Sequence, residues 1–288
     1  MRRIIRSEAI CLRVRDYHES SKLVTFFTLD HGRVDCLAKG ARRLQSKFGA
    51  ALDVFAQSRI IYYSHDTRTL LTLSDAELVH SFNFSRLPTP DSLSRFLAAE
   101  QIAEFALRVI QSHDPNPRLY RLLLSYLSTL ESLQYPVCSL PSSGSLNLQS
   151  AICNLQSPDP YPALVCSFLL KAASFLGFRP ELRRCLICRR PLEGPHPSYF
   201  DTGRGGVICQ RCAGENPSGT RLDAAGLDTL AFLLYTPVSE IASFDPRLLS
   251  PPSSLPSPLD LVLSFLGHHF DPLVLNSFRW HASLERNP

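Results

Sequence analysis

The chain has 288 residues, a formal net charge of +4 and a hydrophobic fraction of 44%, which predicts a soluble protein large enough for two or more domains. No apolar run reaches the roughly 18–20 residues of a membrane span. The basic start continues into an alternating pattern rather than a cleavage site, so a signal peptide is not expected. Nine cysteines, an odd number scattered along the chain, favour a reducing cytoplasm over a disulfide framework.

Positive charge is concentrated in two segments. Residues 1–80 contain 13 Lys/Arg against 9 Asp/Glu, and residues 179–212 contain 7 against 3, so each segment has a net charge of +4. Residues 213–288 contain 4 against 8 and are net acidic. Local basic patches matter more for nucleic-acid binding than the total charge. The sequence therefore indicates two basic modules beside neutral or acidic material.

The first 80 residues have the pattern of β-strands. Apolar side chains alternate with polar ones, and β-branched and aromatic residues are frequent. The strands are predicted at 9–15, 22–29, 33–38, 53–62 and 70–78. Five short strands of this length suit a small OB-type barrel.

The remainder has mostly helical periodicity. Apolar residues recur at three- and four-residue intervals from Asp91, and such apolar helices pack together as a bundle. A low-complexity surface insertion is predicted at 138–160, where Asn-Leu-Gln-Ser occurs twice. A break in the last helix is predicted near Pro272. The other helices are predicted at 117–133, 161–178, 223–235, 239–244 and 259–284.

Four cysteines form the pattern C-x2-C-x20-C-x2-C. Each C-x2-C turn presents two sulfurs to one ion, and two such turns make the closed tetrahedral site that suits structural Zn²⁺. The spacer is long enough for a β-hairpin, and its glycines precede the second pair. Two disulfides or four free thiols are the alternatives. The predicted metal ligands are Cys185, Cys188, Cys209 and Cys212.

Together these patterns predict an α+β multidomain protein. An N-terminal OB-type β-barrel is expected at residues 1–82, and a helical domain carrying the insertion at 83–180. A four-cysteine zinc ribbon at 181–220 is inserted in the helical material. C-terminal helices at 221–288 are expected to pack back on the helical domain, because they are too short for a separate core.

The most basic local stretch follows the third predicted strand. It contains two glycines and four cations, and a loop of this kind beside an OB sheet could neutralise phosphates. A solvated hairpin is the alternative interpretation. The four cations are Lys39, Arg42, Arg43 and Lys47.

Here the sequence resembles the RecO family of bacterial recombination mediators. The resemblance lies in the residues around Lys22-Leu23-Val24, in Gly32-Arg33-Val34 and in Lys39-Gly40-Ala41-Arg42-Arg43. It continues through the cysteine segment to Asn276-Ser277-Phe278 and so covers nearly the whole chain. The N-terminal motif combined with the cysteine quartet is specific, whereas neither alone would be.

The resemblance implies a DNA repair and recombination protein. It implies binding to single- and double-stranded DNA and annealing of complementary strands. It also implies partnership with RecR and with the C-terminal tail of the single-stranded DNA-binding protein (SSB), which together help to load RecA. A cytoplasmic, nucleoid-associated location would follow from these partners.

Several further residues are candidates for these roles. Tyr17, Phe26 or Phe27 could stack on bases, although strand aromatics are more often core. The weakest candidates, for the SSB tail, are Phe96, Leu123 and Arg121. The DNA track is predicted to extend over Arg33, Arg13 and Arg15. A second basic surface could contact DNA, or could solubilise the ribbon or meet an acidic partner. It comprises Arg183, Arg184, Arg189, Arg190, Arg204 and Arg211.

An enzyme and an RNA-binding protein are the alternatives to a DNA-binding mediator. A redox enzyme using the two C-x2-C pairs is disfavoured because the thioredoxin-like context is absent. Four thiolates also leave no open coordination position for hydrolytic zinc chemistry, and no other catalytic motif occurs. We therefore expect no enzyme. An RNA-binding or ribosome-associated zinc-ribbon protein stays open, since only the resemblance favours DNA over RNA.

Overall fold

The computed structural model describes residues 3–64, 70–84, 91–133, 160–192, 197–214, 219–242, 256–270 and 273–278. Nearly all of the predicted insertion at 138–160 lies outside these ranges, as do Pro272 and the end of the last predicted helix. Contacts divide the chain into two compact units. The first unit comprises residues 1–131 and 275–288, and the second comprises 132–274.

The first unit is built on a closed five-stranded barrel with the strand order β1-β2-β3-β5-β4. All neighbouring strands are antiparallel except β3 and β5, which pair in parallel through Cys36–Leu71 and Leu37–Thr72. This confirms the predicted OB-type barrel. Its strands are β1 (Arg3–Tyr17), β2 (Ser21–Thr28), β3 (Gly32–Ala38), β4 (Ala56–Ser64) and β5 (Leu71–Ser81).

The barrel interior follows from the alternation seen in the sequence. In β3 every second residue is buried, and the side chains between them are half-buried, because neighbouring side chains of a strand point to opposite faces. The first strand is longer than its predicted span of 9–15, since its N-terminal half pairs with β4 over eight residues. The largest buried side chains of the interior are Phe26, Phe48 and Tyr62.

Two helices complete the first unit: α1 (Ser92–Val109) and α2 (Pro117–Ser132). Phe27 on the outer barrel face packs edge-to-face against Tyr120 of α2, with ring centroids 5.5 Å apart. After α1 the chain passes close to Gly32. A β-carbon on Gly32 would lie 2.6 Å from the carbonyl oxygen of Gln111 and closer still to that of Asp114, so this approach requires glycine.

A short C-terminal segment also belongs to the first unit. The backbone N–H groups of Asn276 and Ser277 and the Ser277 hydroxyl donate hydrogen bonds to the carboxylate of Glu104 on α1. Burial raises the pKa of Glu104, but these bonds and the nearby Arg108 outweigh it and lower the pKa below its ordinary value. An ionised Glu104 therefore anchors the C-terminal segment.

The second unit combines helices with a three-stranded sheet of order β7-β6-β8. Asp223 and Ser257 act as N-caps, since their side chains accept hydrogen bonds from Gly226 N and Asp260 N at 2.8 and 3.1 Å. The elements are α3 (Tyr161–Phe175), β6 (Ser198–Asp201), β7 (Gly206–Cys209), α4 (Gln210–Ala213), β8 (Thr220–Leu222), α5 (Ala224–Tyr235), α6 (Val238–Ile241) and α7 (Pro258–His269).

Two helix boundaries differ from those expected. The last helix ends at His269, residues 273–275 are not helical and residues 276–278 form a further helical turn, so the predicted span of 259–284 is interrupted, as the expected break near Pro272 implied. The helix predicted at 239–244 is the single turn α6, and residues 243–244 lie outside the described ranges. The predicted helical domain at 83–180 spans parts of both units, and the domain boundaries themselves stay predictions. None of the described helices is long and apolar enough to cross a membrane.

Candidate nucleic-acid interface and metal centre

The basic loop, residues 39–48, is fixed to the end of the β1–β2 hairpin. Arg42 donates a side-chain hydrogen bond to the carbonyl oxygen of His18 at 3.0 Å and forms an ion pair with Asp16 at 3.4 Å. The backbone N–H of Arg42 donates to Ser20 O at 3.0 Å. Lys47, at the other end of the loop, donates to Ser74 O on β5. Two of the four predicted cations are thus engaged within the protein.

The other two loop cations face solvent. Lys39 and Arg43 are exposed, and neither forms an ion pair or a side-chain hydrogen bond with the part of the chain that the structure describes. The Arg43 backbone N–H bonds to Gly40 O at 3.1 Å, in a turn where Gly40 has a φ of +71°. Arg42 and Lys47 therefore position the loop, and Lys39 and Arg43 have charge available for an anion.

The predicted track residues of the strands share one outer face of the barrel. Arg13 pairs in register with Thr25, which in turn pairs with Asp35, so these three side chains lie in one row across β1, β2 and β3. Arg15 lies one row further toward the basic loop. Arg33 is in ion-pair contact with Asp35 at 3.0 Å, which partly neutralises its charge.

A helix adds a cation to this face that the sequence did not indicate. Burial lowers the pKa of Arg13, and the guanidinium groups of Arg15, Arg108 and Arg33 lower it further. Arg108 lies in the last turn of α1, 75 residues after Arg33 in sequence. No local pattern relates a helix end to a distant strand face, so the contribution of Arg108 required the fold.

The three aromatic candidates for base stacking differ in their exposure to solvent. Phe26 and Phe27 are fully buried, so the core interpretation applies and neither can stack on a base in this structure. Tyr17 is 36% exposed and packs edge-to-face against His18, with ring centroids 4.2 Å apart. Because Arg42 bonds to the His18 carbonyl, this aromatic pair lies beside the basic loop.

The four predicted metal ligands converge in the second unit. The sulfur atoms of Cys185, Cys188, Cys209 and Cys212 all lie within 4.8 Å of one another. Cys188 and Cys209 sulfurs are 3.8 Å apart, far beyond a disulfide bond of about 2.05 Å. Tetrahedral coordination with bonds of about 2.3 Å places sulfurs about 3.8 Å apart. All four are free cysteines, so the cluster is not two disulfides, and its spacing is compatible with four ligands of one metal ion.

Backbone N–H groups lower the pKa of Cys185, the buried thiol of this cluster. Burial raises the pKa of Cys185, but N–H groups of Cys209, Cys188 and Ile187 donate to its sulfur and lower the pKa to about 6. The Cys209 N–H lies 3.4 Å from this sulfur. Thiolates are the form that binds metals. Four sulfurs in this arrangement, with a donor directed at one of them, could bind a metal ion.

The first cysteine turn projects arginines into solvent. Cys185 N donates to Arg190 O and Arg189 N donates to Cys185 O, at 2.9 and 3.0 Å. Arg189 adopts a φ of +61°, the left-handed conformation that reverses the chain after the turn. The exposed arginines around the cysteines are Arg183, Arg184, Arg189, Arg190, Arg204 and Arg211.

Two of these arginines have partners in their own unit. The Arg183 guanidinium lies over the ring of Tyr235, 4.0 Å from its centroid, which is a cation–π contact that the sequence did not indicate. Arg204 pairs with Asp201 at 3.6 Å. Arg184, Arg189, Arg190 and Arg211 have no ion-pair partner among the described residues.

The three weak candidates for an SSB-tail groove differ in exposure. Leu123 is fully buried in the core, so it cannot line an open site. The ring of Phe96 packs against Phe55 with centroids 6.1 Å apart. Arg121 is exposed on α2.

Comparisons with known proteins identify the family. Residues 1–82 match the family model "Recombination protein O N terminal", and residues 90–141 and 146–269 match "Recombination protein O C terminal". A DNA repair protein RecO of Anaeromyxobacter dehalogenans strain 2CP-1 is 31% identical, over 90% of this chain and 89% of that protein. DNA repair protein RecO of Symbiobacterium thermophilum is also 31% identical, over 79% and 78%. The chain belongs to the RecO family of DNA repair and recombination proteins.

Proposed function

We propose that this protein is a non-enzymatic recombination mediator that binds single- and double-stranded DNA and anneals complementary strands. The proposal rests on the different contacts that the four cations of the basic loop make. Arg42 and Lys47 hold the backbone, and Lys39 and Arg43 face solvent with no ion-pair partner among the residues that the structure describes. Exposed cations on a loop whose backbone is held in place can bind backbone phosphates without sequence preference and release counterions.

The barrel face extends this site beyond the loop. Arg15, Arg13 and Arg33 follow the loop along the strands, and Arg108 adds a fourth guanidinium. From residue 33 to residue 39 a strand covers about 20 Å. A face of this length suits several nucleotides of a single strand, within the site sizes common to OB-type barrels. Tyr17 is the exposed aromatic available for stacking.

The ribbon supplies a second DNA contact in the proposal. Arg184, Arg189 and Arg190 surround the first cysteine turn and are exposed, and Arg183 adds a more restrained charge. Neutralising one backbone on each unit would lower the repulsion between two strands and so favour annealing. The bound ion is proposed to be Zn²⁺, because four thiolates in tetrahedral arrangement are its typical structural ligands. Zinc would hold the ribbon, and its closed ligand set leaves no position for catalysis.

The partners proposed for this function follow the RecO resemblance. RecR and the C-terminal tail of SSB would bind this protein, and RecA would be loaded onto the SSB-coated strand. A mediator of this kind would act in the cytoplasm, associated with the nucleoid. The family membership supports these partners.

The proposal is tested by annealing of complementary oligonucleotides coated with SSB, in the absence of nucleotide. We expect annealing well above the uncatalysed rate with DNA and no requirement for ATP. A parallel reaction uses RNA oligonucleotides of the same sequence. Annealing of RNA alone would contradict the proposal and favour the RNA-binding or ribosome-associated alternative.

A further inference from the structure

The basic loop carries an apolar side chain at its outermost point. Leu44 is fully exposed, and no other large hydrophobic residue among the described ranges is as exposed. Its neighbours are Arg43 on one side and, across Gln45 and Ser46, Lys47 on the other. An isolated leucine on a protein surface is common and needs no explanation by itself.

The conformation of the loop makes this exposure a fixed feature. The Arg43 N–H donates to Gly40 O at 3.1 Å and the Ser46 N–H donates to Arg43 O at 3.0 Å, so two successive turns surround Leu44. Phe48, just beyond, is 4% exposed and belongs to the barrel core. The backbone therefore presents Leu44 outward, and the side chain cannot retreat into the core without breaking these turns.

The loop thus combines three properties: a backbone that is bonded to the barrel, exposed cations and an apolar tip. Proteins that distort nucleic acids use this combination, because flanking cations hold the phosphates and the apolar wedge enters between neighbouring bases and unstacks them. We propose that Leu44 inserts between adjacent bases of the DNA strand whose phosphates are held by Lys39 and Arg43. This inference rests on the proposed DNA-binding function and assigns the loop a second action, base unstacking.

Unstacking would serve annealing directly. Stacking within a single strand covers the faces of the bases, and a wedge that separates two neighbours breaks local stacks that must rearrange when the strand enters a duplex. The cations alone would neutralise the backbones but leave the bases stacked. Leu44 would therefore affect the rate of annealing and base conformation, whereas Lys39 and Arg43 would determine the salt dependence of binding.

The test uses the full chain and a single-stranded oligonucleotide containing 2-aminopurine, whose fluorescence rises when the base is unstacked. We expect the protein to raise this fluorescence, and Leu44→Ser to abolish most of the rise. Leu44→Ser should also slow annealing about fivefold, consistent with losing the burial of part of a leucine side chain. The slope of log affinity against log salt should stay unchanged, because no charge is removed.

Two matched variants complete the test. Leu93→Ser makes the same change at a 62% exposed leucine at the start of α1, and we expect it to behave as wild type. Leu44→Met keeps an apolar side chain and should retain the fluorescence rise. Wild-type fluorescence and annealing in Leu44→Ser would overturn the proposal, even if Lys39→Ala/Arg43→Ala showed that the loop binds DNA. A defect of Leu44→Ser that appears only when SSB is present would also overturn it, since the leucine would then contact a protein.

Discussion

The basic loop of the barrel and the cysteine turn of the ribbon present similar surfaces by different means. Each has exposed arginines beside an exposed aliphatic side chain, Leu44 in the loop and Ile187 in the turn. The loop is held by hydrogen bonds and an ion pair of Arg42 and by the barrel core beneath Phe48. The turn is held by the cysteine cluster. Similar charge patterns thus depend on two separate sources of stability.

This difference follows from the amount of apolar surface near each site. The barrel encloses a continuous core of strand residues. The ribbon strands have three or four residues each, and Phe200 of β6 packs against Phe265 of α7 with ring centroids 5.9 Å apart. Short segments of this kind usually need a metal for stability. The ribbon should therefore depend on metal, and the barrel should not.

The largest expected effect comes from removing a metal ligand. Cys185→Ala should abolish stoichiometric zinc binding and unfold the ribbon, because zinc binding in such modules contributes on the order of 10 kcal/mol to local folding. Metal analysis together with hydrogen exchange would measure this, with fast exchange in β6 and β7 and unchanged protection in β1–β5. Cys166→Ala, at a buried cysteine of α3 outside the cluster, is the control and should keep its zinc.

A variant of the barrel core should destabilise the barrel and leave zinc binding by the ribbon unchanged. Phe26 is fully buried, and Phe26→Ala should reduce the stability of the barrel by about 3–5 kcal/mol through the cavity it leaves. Calorimetry would show a lower melting temperature with unchanged zinc content. Phe178→Ala removes the same atoms at a 37% exposed position of the second unit and should cost much less. Loss of zinc in Phe26→Ala would contradict the separation of the two sources of stability.

The smallest expected effect concerns Arg42. Its ion pair with Asp16 joins side chains that are 39% and 61% exposed, so Arg42→Ala should cost less than about 1 kcal/mol. Its charge is already paired, so the salt slope of DNA binding should fall by less than for Lys39→Ala or Arg43→Ala. Fluorescence anisotropy of the three single variants measures this order. A slope lowered most by Arg42→Ala would show that this side chain leaves Asp16 to bind phosphate.

The sequence predicted the features that depend on local pattern. Alternating strands predicted the barrel, and the spacing of Cys185, Cys188, Cys209 and Cys212 predicted their convergence. Strand boundaries were less accurate, since β1 begins where its N-terminal half pairs with β4 and ends where it pairs with β2. Features that depend on distant contacts could not be predicted.

For the basic loop, the sequence could not show which cations are bonded within the protein and which are exposed. Its four cations are equivalent in sequence, and only the fold shows that Arg42 is bonded to the β1–β2 turn while Lys39 is exposed. Arg108 joins the barrel face because α1 ends beside the strands, as the backbone bond from Arg33 N to Gln111 O shows. Charge counts identify a basic region, but the contacts decide which cations are available.

The proposed DNA binding depends above all on phosphate contacts of Lys39 and Arg43. The most direct test of these contacts is a salt titration of single-stranded DNA binding by Lys39→Ala/Arg43→Ala, measured by fluorescence anisotropy on several sequences. Two lost phosphate contacts should lower the slope of log affinity against log salt by about 1.4, equally for all sequences. Arg118→Ala/Arg121→Ala removes two exposed charges from α2 of the same unit and should leave the slope unchanged. Wild-type affinity and slope in the loop variant would contradict the account.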